Sequence, residues 1–479
     1  MASERINPLE IFHIVALIGR FVDLWNDLGY QYNYKPTNLL SCAAVSRTWR
    51  AALLPILWEV YDGDKMRHIP NEIIIKYSLR FRVVIDLMHP GPLHCAALQF
   101  FETSHDNAFA FDFLKQTKPR ISTFRFSGTD HRLSIPESDV PEASRGDSLC
   151  LADIPTDITG LDLTTWLITD ESNFLRFLTR YHSLSTLSLS SVSGFHRFPS
   201  AGPLLTETSP PAPVLLHTVK TLHLTFVGGS SHALLEMVKC CPSLERLYII
   251  GSWIPYSEKY KDTPFYRYCP NIESLSIHYR NDVPNQMIFL PRDEDLENLI
   301  RSFTGPPGTT GIRGLKTFEA KLVAFFEGAA EALASAAETL EVFNLELESY
   351  FDLPDETLAG ARAILRTCHK LKSISLKFED DIDDELTLGM RMVLEEPWAC
   401  LETLEQLCLS NASWRNEGFH ELIDKEAYSS DGRAWVWCVD GPILLPQDEE
   451  PLLFGLVKQM PRLWRLVLMS SKIYRIKKY

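Results

Sequence analysis

Cys240-Cys241-Pro242-Ser243-Leu244-Glu245-Arg246-Leu247-Tyr248-Ile249 is the stretch that decides the fold. Its last six residues follow the pattern apolar-x-x-apolar-x-apolar. The final two apolar side chains stand two apart and so point to one side of a strand. The first, three residues earlier, sits at the turn into that strand. The Pro before it stops a preceding helix, and a small apolar Cys seals the last helical turn.

The same pattern recurs along the chain. It appears as Leu184-x-x-Leu187-x-Leu189, Val219-x-x-Leu222-x-Leu224 and Ile272-x-x-Leu275-x-Ile277. It returns from Leu340, Leu371, Leu404 and Leu463. Weaker units start at Ile121, Ile158 and Leu315, which makes about eleven, and Phe81 to Leu87 reads as an entry strand. Similar turns precede several of them, as in Cys269-Pro270-Asn271, Cys368-His369-Lys370 and Met460-Pro461-Arg462. One match would mean nothing in a Leu-rich chain. A recurring unit means a fold built by stacking neighbours.

Between the strands lies helical periodicity: Phe174, Leu178 and Tyr181; Leu234, Leu235 and Val238; Leu358, Ala361 and Leu365; Leu453, Leu456 and Met460. Each unit is therefore read as strand, connection and helix, with the next strand parallel to the first. The fold class expected is α/β, a leucine-rich-repeat solenoid with a curved parallel sheet inside and helices outside. The shortest steps, Val219 to Leu244 and Leu315 to Leu340, are 25 residues each. Longer steps need insertions, expected near 190–215, 285–314 and 410–450, and the repeat domain is placed at 121–479. Residues 63–120 read as a linker with entry units.

The chain has 479 residues, with 47 Lys and Arg against 62 Asp and Glu, hence a formal charge of −15. Such an acidic balance argues against nucleic acid, whose phosphates need Lys and Arg. The basic tail Lys472, Arg475, Lys477, Lys478 reads as a solvated terminus. The ten Cys have no paired spacing and no CxxC, so they are expected to be reduced thiols, with the protein in the cytoplasm or nucleus. No apolar run reaches the length of a membrane span. Phosphate-loop, H-E-x-x-H and G-x-S-x-G motifs are absent. The His residues lack ligand spacing, and the acidic runs Glu379-Asp380-Asp381 and Asp383-Asp384-Glu385 read as solvated. No catalysis, cofactor or metal is expected.

Residues 1–62 have a different, all-helical texture. Pro8-Leu9-Glu10-Ile11-Phe12-x-x-Val15 opens one helix. Leu39-Leu40-x-Cys42-x-x-Val45-Ser46-Arg47-x-Trp49-Arg50 forms a second stretch, and Pro55-x-Leu57-Trp58 closes it. So small a helical bundle has a thin core and needs support from the array or a partner. These segments resemble the F-box, most closely that of mushroom-forming fungi. The departures are Asn7-Pro8 in place of Leu-Pro, and a long segment between Ile18 and Leu39.

The resemblance implies a substrate-recognition subunit of an SCF-type ubiquitin ligase. The F-box would dock a Skp-type adaptor, and through it a cullin–RING ligase, by Pro8, Leu9, Ile11, Phe12, Leu40, Val45 and Trp58. The repeat domain would recruit a target protein. Side chains between the strand leucines supply the expected target surface, chiefly His223, Arg246, Tyr248, His278, Lys321, Glu346 and Lys377. The alternatives are a repeat scaffold without ligase recruitment and an enzyme on an ordinary parallel sheet.

Overall fold

The computed structural model of the chain describes residues 11–22, 25–27, 32–89, 93–104, 107–117, 120–127, 154–165, 171–192, 215–226, 232–251, 263–279, 293–305, 314–322, 324–349, 359–380, 393–395, 397–411, 415–416, 427–428, 434–436, 443–444, 449–468 and 473–477. The chain divides into two compact units, Met1–Gly194 and Phe195–Tyr479. The whole Pro-rich stretch at 199–213, much of the two later insertions, Asn7, Pro8, Leu9 and the acidic run from Asp381 lie outside the described residues.

The first unit opens with helix α1 (Phe12–Gly19), strands β1 (Trp25–Asp27) and β2 (Tyr32–Tyr34), and helices α2 (Thr37–Ala43) and α3 (Arg47–Leu57). Val15, Leu39, Ala43, Ala52, Leu53, Ile56 and Leu57 form one buried cluster between the helices. The Ser46 hydroxyl accepts from the Trp49 N–H and caps α3. The front is not all-helical as expected, because β1 pairs antiparallel with β2. That pair accounts for part of the long segment after Ile18. Tyr34 anchors it: the ring is buried, its hydroxyl donates to the Leu57 carbonyl at 3.4 Å, and Lys65 Nζ donates to the Tyr34 carbonyl.

Then come β3 (Val60–Asp62), α4 (Gly63–Met66), α5 (Asn71–Tyr77), β4 (Val83–Ile85), β5 (Phe100–Ser104), α6 (Ala108–Thr117), β6 (Thr123–Ser127), β7 (Gly160–Thr164), α7 (Glu171–Leu178) and β8 (Thr186–Ser190). Strands β3 to β8 form a six-stranded ladder, each parallel to its sequence neighbour. The repeat thus begins earlier than its leucines advertise. Trp58-x-x-Tyr61, Phe81-x-x-Val84 and Leu98-x-x-Phe101 hold the positions that Ile121 and Phe124 hold one unit on, and all are buried. Trp58 stacks on Tyr77 with ring centroids 4.4 Å apart.

The second unit contains β9 (Thr221–Phe226), β10 (Arg246–Gly251), α8 (Phe265–Tyr268), β11 (Ser274–Tyr279), α9 (Asp293–Thr304), β12 (Thr317–Leu322), α10 (Glu327–Ala334), β13 (Val342–Ser349), α11 (Ala359–Thr367), β14 (Ser373–Asp380) and β15 (Gln406–Asn411). It ends with β16 (Arg415–Asn416), β17 (Ala427–Tyr428), β18 (Ala434–Val436), β19 (Ile443–Leu444), α12 (Glu449–Lys458), β20 (Arg465–Leu468) and β21 (Ile473–Lys477). Strands β9 to β15 and then β20 make an eight-stranded parallel ladder. Strand β21 closes its last edge antiparallel, followed by β18 and β17. The expected helix after β9 is instead a 3-10 segment, His232–Cys240.

Register explains the core. Leu222, Leu247, Leu275, Phe318, Phe343, Ile374, Leu407 and Leu466 follow one another across the second ladder, and all are buried. Helices cover that side of the sheet, with Leu299, Ile300 and Phe303 of α9 and Ile364 and Leu365 of α11 fully enclosed. Helices also meet each other, as where Phe265 stacks on Phe303 at 5.1 Å. The turn into each strand repeats too. The N–H of Leu184, Leu244, Ile272 and Leu463 each donates to the carbonyl three residues back.

The residue after each first apolar position forms a ladder along the strand entrances. Its N–H donates to the carbonyl of its counterpart one repeat earlier, as in Glu273 to Glu245 and Lys316 to Glu273. In the first unit Ser122, Thr159 and Ser185 add hydroxyl bonds to the same preceding carbonyls, at 2.6 to 3.1 Å. In the second unit the position carries opposite charges: Lys220–Glu245, Glu273–Lys316 and Glu341–Lys372 pair at 2.9, 3.1 and 2.8 Å. These pairs are substantially exposed and each contributes little.

Three substitutions probe this packing. Trp58→Ala is expected to destabilise by about 3–5 kcal/mol through the cavity it leaves, whereas Val45→Ala, at an exposed position, should stay within about 0.5 kcal/mol. Gly360 donates its N–H to the Phe325 carbonyl at 3.1 Å, and a Cβ there would lie 2.4 Å from that oxygen. Gly360→Ala therefore forces backbone apart and should cost about 1–3 kcal/mol. Urea midpoints of the three variants, measured by circular dichroism, check this order.

Candidate functional site

A parallel sheet with helices on one side leaves its other side to side chains that alternate with the buried leucines. On that open face of the second unit, register aligns two rows. Ser276, Glu319, Asn344, Ser375 and Cys408 make one; His278, Lys321, Glu346, Lys377 and Ser410 make the next. Parts of the two rows line a depression of ≈ 200 Å³, with His278, Glu319, Lys321, Asn344, Glu346, Ser375 and Lys377 in its wall.

The groups in the depression hold one another. Lys321 Nζ donates to Glu346 Oε1 at 2.6 Å, and Lys377 Nζ to Glu346 Oε2 at 3.4 Å. Burial alone would raise the Glu346 pKa, but the two ammonium groups outweigh it and hold the carboxyl below its usual range. Asn344 Nδ2 donates to Glu319 Oε1 at 3.0 Å. Ser276 Oγ and His278 Nε2 are 3.0 Å apart. Burial lowers the His278 pKa, against the pull of Glu319 and Glu346, so the ring is neutral at neutral pH.

A serine beside a histidine invites a hydrolytic reading, which the geometry does not favour. Ser276 is 2% exposed, so its hydroxyl is not presented to a substrate. Nucleophilic catalysis needs an accessible nucleophile with a correctly oriented base. Among the described residues no group of three His, Cys, Asp or Glu could hold a metal ion, and no helix is long and apolar enough to cross a membrane.

Of the expected target-surface residues, His278, Lys321, Glu346 and Lys377 come together in the depression. The others lie on neighbouring strands outside it. His223 stacks on Tyr248 with centroids 4.2 Å apart and planes at 2°, and Arg246 is exposed at the start of β10. Glu319, Asn344 and Ser375 complete the wall. These three also stand between strand leucines, and the sequence reading places them on this same face.

The first unit carries a second network that sequence reasoning missed. Glu102, Arg125 and Asp162 are in register on adjacent strands. Arg125 Nε donates to Asp162 Oδ2 at 2.7 Å and Nη1 to Glu102 Oε2 at 3.3 Å, with the guanidinium 5.4 Å above the Phe100 ring. Burial raises the Glu102 pKa, Arg125 opposing. The charge order, acid–base–acid, is the inverse of Lys321–Glu346–Lys377.

The front helices present a different surface. Val15 and Gly19 of α1 face the cluster, while Ile14 and Leu17 lie away from it on the same helix and are exposed, as are Ile11 just before the helix and Phe21 just after it. Phe12, Leu40 and Val45 are also exposed, Val45 at 67%. Trp58 corrects the expectation drawn from the resemblance. It is 8% exposed and stacked on Tyr77, because it occupies the first apolar position of a repeat and faces the core.

His278 should titrate below 6.5, as followed by NMR of its ring protons. Glu319→Gln removes a neighbouring negative charge that raises that pKa, so the variant should titrate lower still. An unchanged midpoint would place Glu319 out of electrostatic reach of the ring.

Comparison of the sequence with protein-family models and with curated proteins returns no match.

Proposed function

We propose that this chain is the substrate-recognition subunit of an SCF-type ubiquitin ligase: an F-box-like front that docks a Skp-type adaptor, followed by a leucine-rich-repeat solenoid that recruits a target protein. The observation that carries the reading is where apolar surface is left uncovered. Thirteen large apolar side chains are exposed among the described residues, and seven of them lie between Ile11 and Val45. Such a concentration marks a surface made for a partner. Ile11, Phe12, Leu40 and Val45 are among the positions the F-box resemblance assigns to the adaptor. Trp58 now belongs to the repeat array, and Pro8 and Leu9 lie outside the described residues.

The repeat face supports recruitment of protein. It mixes acid, base, amide and hydroxyl groups in a shallow depression, and the chain's charge of −15 disfavours phosphate-rich partners. The runner-up is a repeat scaffold without ligase recruitment. One observation favours it: burial of Trp58 removes one of the contacts the resemblance implies.

Co-expression with a Skp-type adaptor and gel filtration separates the two. A stoichiometric complex is expected. Leu40→Asp and Val45→Asp should weaken it by at least ~30-fold, the equivalent of a ~2 kcal/mol hot spot, with the circular dichroism spectrum unchanged. A wild-type chain that elutes free of the adaptor would leave the scaffold reading.

A further inference from the structure

The depression on the second unit's open face leaves two charges of opposite sign without full compensation. Glu346 gives its close bond, 2.6 Å, to Lys321. Lys377 reaches the other oxygen only at 3.4 Å and is a third exposed. Its ammonium has three donors, and this long bond engages one. On the other row Glu319 bonds the neutral Asn344 amide through one oxygen and forms no ion pair among the described residues. Burial lowers the pKa of the neighbouring His278 ring, so it does not offset this charge at neutral pH, and Lys321 gives its close bond to Glu346. The depression therefore carries a negative pole at Glu319 and a positive pole at Lys377.

Register fixes how far apart the poles stand. Glu319 aligns with Asn344 and then Ser375, two residues before Lys377 on β14. The poles are thus two strands and one side-chain row apart. Two interstrand steps of about 4.8 Å and one two-residue rise of about 6.7 Å give a diagonal of roughly 12 Å between the backbone positions. An extended chain covers that distance in about four residues, and side chains four apart lie on one face.

We propose that this depression binds an extended segment of a protein partner that carries a basic and an acidic side chain four positions apart. The basic group would meet Glu319 and the acidic group Lys377, with Asn344 and Ser375 between them bonding the peptide backbone. The inference rests on the receptor reading for its biological meaning, but its chemistry stands on the depression alone. Charge complementarity selects the occupant: a polyanion would be repelled by Glu319 and Glu346, and an apolar helix would leave both poles unpaired.

The full-length chain, labelled with a fluorophore, would be applied to an array of twelve-residue peptides. Each peptide holds one Lys and one Asp, in either order, separated by one to eight positions in a Ser/Gly/Ala background; control peptides carry Lys or Asp at both positions. Maximal binding is expected at a separation of four. Lys377→Glu should lose these peptides at least tenfold and gain those with Lys at both positions. Glu319→Lys should do the opposite and prefer Asp at both. Binding independent of separation, identical selection by the three proteins, or no binding by any overturns the proposal. If the array behaves as expected while the adaptor complex fails to form, the ligase reading falls and this inference stands. If the adaptor complex forms and the array is flat, this inference falls and the ligase reading stands.

Discussion

Within each parallel ladder, every strand after the first depends on the carbonyl offered by the strand before it. The residue that follows the first apolar position donates its N–H to its counterpart one repeat earlier, through both units, and this sets the register of everything downstream. Once the register is set, each inward residue lands on the inward residue of the neighbouring strand, and the apolar columns assemble. A parallel ladder buried on one side tolerates no one-residue slip, since a slip would turn every leucine to solvent. The hydroxyls of Ser122, Thr159 and Ser185, and the three ion pairs between Lys220 and Lys372, reinforce this same seam with side chains.

The open face inherits its chemistry from that register. Residues 25 to 31 apart in the chain become neighbours, so Lys321, Glu346 and Lys377 bond as one group. Glu102, Arg125 and Asp162 do the same in the first unit. A charged residue that is half-buried on a sheet must find a counter-charge or change its protonation. Glu346 stays ionised between two lysines. Glu102, more enclosed, has its pKa pushed up despite Arg125.

The parts of the fold that were legible in the chain are those that keep an apolar residue in all three slots of the pattern. Each of the eleven units placed by its apolar spacing carries a strand. The front units, from Trp58, Phe81 and Leu98, lose the third apolar residue, with Gly63, Asp86 and Thr103 in its place, and two of their strands are three residues long. Of these, the sequence shows only Phe81 to Leu87, as an entry strand. Trp58 was hidden further because it also ends a motif resembling an F-box, and the two readings assign it opposite directions. The antiparallel pair β1–β2 was illegible because its strands are three residues each, without apolar alternation. On the open face, polarity and position were readable from one strand at a time. The pairings were not, because an ion pair between repeats has no sequence period of its own and depends on insertion lengths.

The small apolar residue that seals the last helical turn before a strand is in several repeats a cysteine. Cys241, Cys269, Cys368 and Cys400 are buried, and burial pushes the Cys269 and Cys400 thiols up to about 12 and the Cys368 thiol up to about 11, with Cys241 raised well beyond its ordinary value. A thiol so protonated is a poor nucleophile while its repeat is closed. It becomes an ordinary thiol when that repeat frays. The second unit is thereby equipped with native reporters of local opening, whose alkylation rates would chart which end of the stack unzips first.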